Sequence, residues 1–132
     1  MVERERWRRV PLTGLMVAIL LAPAGCREAS GREPSYSVPG GSPDRGKDAI
    51  ETYGCGSCHT IPGVSIATGT VGPPLMFWSR RTYIAGEVPN TPDFLVRWIE
   101  VPPAIEPGTA MPNLGVPEQA ARDIAAYLYT LR

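Results

Sequence analysis

Five consecutive residues, Cys55-Gly56-Ser57-Cys58-His59, could carry chemistry together. The spacing is C-x-x-C-H, the pattern that attaches a c-type haem. Two thiols three positions apart share one turn and can add to the two vinyl groups of a single haem. The imidazole that follows lies under the iron as a proximal ligand. That leaves the sixth position undecided between a second protein ligand and an exogenous one. Two other chemistries use paired cysteines. A zinc ribbon needs four Cys/His ligands, but the chain has three Cys and one His, and the third cysteine, Cys26, lies far upstream. A thioredoxin-like C-x-x-C belongs beside a βαβ pattern, which this sequence lacks.

The segments around this pentapeptide must position it. Asp44 to Tyr53 predicts a short helix, with Asp44 as N-cap and Ala49, Ile50 and Tyr53 on one face. Gly54 ends it and leads into the cysteines. Thr60 to Pro74 reads as loop, Leu75 to Arg80 as a helical turn, and Thr82 to Asn90 as loop again. Thr91-Pro92-Asp93 is a helix start: a Thr cap, Pro at the first helical position and an acid near the positive end of the dipole. That helix runs from Pro92 to about Val101, with Leu95, Trp98 and Ile99 inward, and Pro102-Pro103 stops it. Ala104 to Val116 is loop. Pro117 opens a last helix whose buried stripe is Ala121, Ile124, Leu128 and Leu131. No segment reads as a strand. Fifteen prolines and fourteen glycines agree with a loop-rich chain. Three helices in such a chain make a thin core, which an apolar macrocycle would fill.

In this order the segments resemble the class I c-type cytochromes, the small family that includes mitochondrial cytochrome c. The resemblance covers Asp44 to Arg132 and rests on four stretches: Cys55 to His59; Gly72-Pro73-Pro74-Leu75 with Arg81 beyond; Pro107-Gly108-Thr109-Ala110-Met111-Pro112; and Asp123-Ile124-Ala125-Ala126-Tyr127-Leu128. It implies an all-α fold, the small class I cytochrome c fold, with three or more short helices and long loops around one covalent haem c. It implies His59 and Met111 as the axial ligands of the iron, a thioether that raises the potential. The Pro73 carbonyl would accept the other ring N–H of His59. Arg81 or Arg80 would meet a haem propionate, and Tyr83 and Asn90 would make polar contacts at that edge. Trp98 falls where mitochondrial members have a Tyr beside the methionine ligand. Met76, 17 residues after His59, is expected to wall the haem.

The N-terminal residues predict export. Arg4, Arg6, Arg8 and Arg9 form a basic region, and Val10 to Ala22 is an apolar run of 13 residues. That run matches a signal-peptide core and is short for a membrane span of about 20 residues. Residues 1–25 are therefore expected to be a signal peptide, of lipoprotein or secretory type. Ala22 and Ala24 offer an A-x-A cleavage site, while Ala24-Gly25-Cys26 resembles the end of a bacterial lipobox with Cys26 as the lipidated residue. An uncleaved anchor is the third possibility. Residues 26–43, rich in Gly, Ser and Pro, read as a flexible tether, and 44–132 as the cytochrome domain. All three routes place that domain outside the cytoplasm, and a tethered one at the periplasmic or extracytoplasmic face of the cytoplasmic membrane.

Charge argues against nucleic-acid binding, since the formal net charge is zero. From Asp44 onward there are seven Lys/Arg against nine Asp/Glu, and Lys47 is the sole lysine of the chain. The resulting expectation is not an enzyme but an electron-transfer protein, a monomer or complex subunit. Its expected partners are redox proteins such as a terminal oxidase or a quinol-oxidising complex. A peroxidase or gas sensor would need an open sixth site, and a peroxidase a distal acid–base group, yet His59 is the only histidine.

Overall fold

The architecture is a computed structural model that describes residues 36–132. The expected signal peptide, residues 1–25, and the first ten residues of the expected tether, Cys26 among them, lie outside the described residues. Three α-helices are present among them: α1 (Pro43–Thr52), α2 (Pro92–Glu100) and α3 (Glu118–Leu128). Short 3₁₀ turns occupy Cys55–Ser57, Trp78–Arg80 and Pro102–Ala104.

The helix starts differ from expectation in detail. Ser42, in extended backbone, is the N-cap of α1, and Asp44 sits in the first turn, where it still faces the positive end of the dipole. Thr91 caps α2 by position, but its hydroxyl makes no capping hydrogen bond. The loop expected over 82–90 contains a small antiparallel hairpin, β1 (Tyr83–Ile84) paired with β2 (Val88–Pro89). Two-residue strands are too short to show an alternating pattern in sequence.

Helices α1 and α3 cross at Gly46. A side chain there would put Cβ 2.0 Å from the Asp123 carbonyl oxygen, so only glycine lets the two backbones meet. The contact is clasped by Asp123, which is 4% exposed. Its carboxylate accepts hydrogen bonds from Arg45 Nη2 and Nε (2.7 and 2.9 Å), from the Ser42 N–H (2.7 Å) and from Gln119 Nε2 (3.2 Å). These bonds hold the carboxyl below the usual carboxylate range, the Arg45 hydrogen bond being the largest cause. The core spreads from this crossing. Ile50 of α1, Leu95, Val96 and Ile99 of α2, and Ala121, Ile124, Ala125 and Leu128 of α3 are all buried in it. Leu131, beyond the end of α3, is only partly buried against it.

The domain begins upstream of Asp44. Within the expected tether, residues 36–43 pack on the domain: Val38 is 7% exposed, and the Tyr36 ring lies 4.9 Å from that of Tyr129. Their partners are residues of the far end of the chain, which local composition cannot register.

Candidate functional site

The C-x-x-C-H pentapeptide follows α1 directly. The chain turns at Gly54, winds into the 3₁₀ turn, and closes with the His59 N–H donating to the Cys55 carbonyl at 3.0 Å. The next loop folds back on this turn. Gly69 N–H bonds to the Gly56 carbonyl (3.0 Å), Gly72 N–H to Cys58 (2.8 Å) and Leu75 N–H to Thr60 (2.8 Å). The loop therefore carries Pro73 to the histidine. His59 Nδ1 donates to the Pro73 carbonyl at 2.7 Å, since a carbonyl can only accept. Nε2 is left with its lone pair, the form a metal ligand requires. The imidazole lies against Gly72, where an added Cβ would stand 2.4 Å from Cε1.

Across the site, the Pro107-to-Pro112 loop is held by its own side chains. Gly108 N–H donates to Glu106 Oε1 (2.8 Å), Thr109 N–H to the Glu106 carbonyl (3.0 Å) and Met111 N–H to Thr109 Oγ1 (3.1 Å). Glu106 was not singled out by sequence, and Thr109 only as part of the stretch Pro107 to Pro112, with no role of its own. The Thr two residues before the methionine was the available signal, because such hydroxyls bond their own backbone in turns.

These segments enclose a cavity of about 320 Å³, within the usual range for cofactor sites. Cys55, Cys58, His59, Pro73, Arg81, Tyr83, Trp98 and Met111 all border it, so the fold brings together eight of the ten residues expected at the haem. Its remaining walls are mainly aliphatic, from Ile50, Ile61, Leu75, Leu95, Ile99 and Leu128 among others. Both thiols are free and partly buried, and burial pushes the Cys55 thiol up.

Three residues lie elsewhere. Arg80 borders a second cleft, with Asn90, and its guanidinium sits 5.5 Å from the centroid of the Phe77 ring. Asn90 is 3% exposed, and its amide is committed to protein partners: Nδ2 to the Trp78 and Arg81 carbonyls, Oδ1 to the Tyr129 hydroxyl. Met76 is 38% exposed and does not border the cavity, so it is no wall of the haem site. Trp78 takes the inward place instead. In the run Leu75-Met76-Phe77-Trp78, four apolar residues in succession give no sign of which point inward.

The arrangement fits a covalent haem. Paired thiols, an oriented imidazole and a methionine border one apolar cavity, and a buried indole N–H at its wall, that of Trp78, has no protein partner. Among the described residues no group of three or more His, Cys, Asp or Glu converges to hold a bare metal ion instead. Fold and site together define a small helical domain organised around one prosthetic group.

Comparison with known proteins gives the family. Over 110 residues the chain is 36% identical to cytochrome c2 of Rhodopila globiformis, covering 73% of this chain and 99% of that protein. It is also 29% identical over 89 residues to cytochrome c oxidase subunit 2 of Alkalihalophilus pseudofirmus, covering 67% of this chain but spanning only 25% of that relative. No family model matches the chain, and no solved structure matches it. The chain belongs to the monohaem c-type cytochromes. It is an electron carrier with one covalent haem c, and not an enzyme.

Proposed function

We propose that the protein passes single electrons through its haem in a respiratory chain, to or from a membrane oxidoreductase. Cys55 and Cys58 would form the thioether links to the haem, and His59 and Met111 would supply the protein ligands to its iron. The haem supplies the reversible one-electron couple of its iron. The chain's residues do the rest. The Pro73 carbonyl fixes the His59 tautomer and raises its basicity. Thr109 and Glu106 hold the Met111 loop in one conformation, and the aliphatic walls exclude water. A thioether ligand in a dry site favours the reduced iron and raises the potential. The observation that carries this reading is the single cavity bordered by both thiols, His59 and Met111.

An oxidase as partner is supported by the likeness to an oxidase subunit. The same likeness favours a second reading, a haem relay held as a subunit of such a complex. Under either reading the basic, apolar N-terminal residues export the domain. Lipidation at Cys26 would hold it at the membrane, where a tether raises its effective concentration near its partners.

Met111→Ala tests the ligand set. The oxidised wild-type protein should show the weak near-infrared sulfur-to-iron band, and the variant should lose it, fall in potential and bind cyanide or CO. Retention of the band in Met111→Ala, with loss in Met76→Ala, would assign the ligand to Met76.

A further inference from the structure

Three exposed apolar residues, Val71, Tyr83 and Leu114, border the haem cavity, so the site already described accounts for them. Met76 and Phe77 are exposed as well, but neither borders the cavity. Phe77 is held outward against its backbone preference. Its φ of 56° lies in the left-handed region, where a bulky side chain is rare. The turn there sends Trp78 inward and leaves the phenyl ring 52% exposed. The Arg80 guanidinium lies 5.5 Å from the centroid of that ring. Between Glu51 and Glu87 the chain has no carboxylate, and Arg80 and Arg81 are its only Lys/Arg there. This turn is therefore locally basic, although acids outnumber bases from Asp44 onward. Two large apolar side chains beside a guanidinium suit the interface of an anionic phospholipid bilayer. The apolar groups reach the acyl boundary and the cation stays among the phosphates.

The place where the chain enters the domain selects this same face. Tyr36, the first described residue, borders one cleft with Ser79 and Arg80. Ten residue steps separate it from Cys26, and they extend at most about 36 Å. A domain of this size has a radius of about 16 Å, so passing round it to press the opposite face on a membrane takes about 40 Å. An anchor at Cys26 thus keeps the Tyr36 side toward the bilayer. We propose that the Met76-Phe77 turn, with Arg80, is a membrane-contact surface that seats on the anionic phospholipid interface beside the anchor. It holds the domain, and the haem cavity with it, in one orientation. Partners embedded in the same membrane then meet the haem in a fixed pose. The proposal rests on the reading of Cys26 as the anchored residue.

The full-length mature holoprotein tests it, reconstituted in phosphatidylcholine–phosphatidylglycerol vesicles that contain a phospholipid with a diazirine on its acyl chain. After illumination, mass spectrometry should find the label on Met76 and Phe77. Ile66 and Val71, 66% and 82% exposed, should stay unlabelled, because exposure alone does not put a side chain in a bilayer. Labelling of Ile66 or Val71 as heavy as that of Phe77 would overturn the proposal. Phe77→Gly is the sharper arm. Glycine adopts this φ freely, so the fold and the haem spectrum should be kept. Labelling of Met76 should nevertheless fall about tenfold, as expected when one aromatic ring leaves an apolar phase. Unchanged labelling of Met76 in this variant would reject the surface. An absence of lipid label, with hydrogen-exchange protection of residues 76–80 appearing only when a membrane oxidase is added, would assign the face to a protein partner and also overturn it. Recovery of mature holoprotein in the soluble fraction, with an N-terminus other than acylated Cys26, would instead reject the anchoring on which the proposal rests.

Discussion

The α1–α3 crossing and the haem wall are two regions of one small domain, built on opposite terms. At the crossing every polar group is answered by the protein: Asp123 is buried and accepts from Arg45, Ser42 and Gln119, and Gly46 closes the backbone contact. At the wall the protein stops short. A cavity of about 320 Å³ remains, and among the described residues Trp78 Nε1 has no hydrogen-bond partner and Arg81 no carboxylate. The difference shows which half of the fold is finished by its own chain and which by its prosthetic group. A loop-rich chain of this length has too little aliphatic surface to fill both.

The sharpest way to break that comparison is to deny the chain its haem. A Cys55→Ser, Cys58→Ser double variant should carry no covalent haem after acid–acetone extraction. Hydrogen exchange should then show protection lost across residues 60–116, with what remains concentrated in α1 and α3. Native-like protection throughout, or earlier loss in α1 and α3, would contradict the division.

Next in size is Gly46→Ala. The added Cβ would meet the Asp123 carbonyl at 2.0 Å, and backbone cannot yield as a side-chain tip does. Overpacking of this kind should cost about 3 kcal/mol, read from urea unfolding, with the haem spectrum kept in the folded fraction.

Asp123→Ala should cost about 2 kcal/mol, because the partly buried Ser42 N–H loses its acceptor. The pH dependence follows from the lowered pKa of Asp123. Its contribution is present above the unfolded carboxyl value of about 4, and is lost as pH falls through the lower folded-state value. The stability gap between wild type and variant should therefore close in that acid range. A gap that persists unchanged below it would show that the clasp is not electrostatic.

The smallest effect is expected from Thr109→Val, which removes the acceptor for the Met111 N–H at 3.1 Å. About 1 kcal/mol should be lost, and cyanide should displace the proposed methionine ligand faster than in wild type. No change in that rate would mean the loop is held by packing alone.

The sequence announced the elements whose cause is local. C-x-x-C-H is contiguous, and Pro92 and Pro117 mark helix starts by their fixed φ. The apolar period located α2 within a residue of its observed bounds, and α3 at its start, although the stripe expected there ran on to Leu131, past the observed end at Leu128. Met111 came from the resemblance carried by the contiguous stretch Pro107 to Pro112. What tertiary structure decided was every feature that depends on residues far apart in the chain. Tyr36 and Val38 looked like tether because their partners are distant in sequence, as Tyr129 is from Tyr36. Asp123, a charged residue on a mostly apolar helix, is buried because Arg45 and Ser42 arrive from a separation of about eighty residues. Asn90 was expected at the haem and instead serves Trp78, Arg81 and Tyr129, because an amide's partners are set by which backbones the fold brings within its reach. Met76 and Trp78 differ by two positions in a uniformly apolar run. Only the 3₁₀ turn at Trp78–Arg80, which follows a positive φ at Phe77, puts the indole at the cavity wall and leaves the thioether outside.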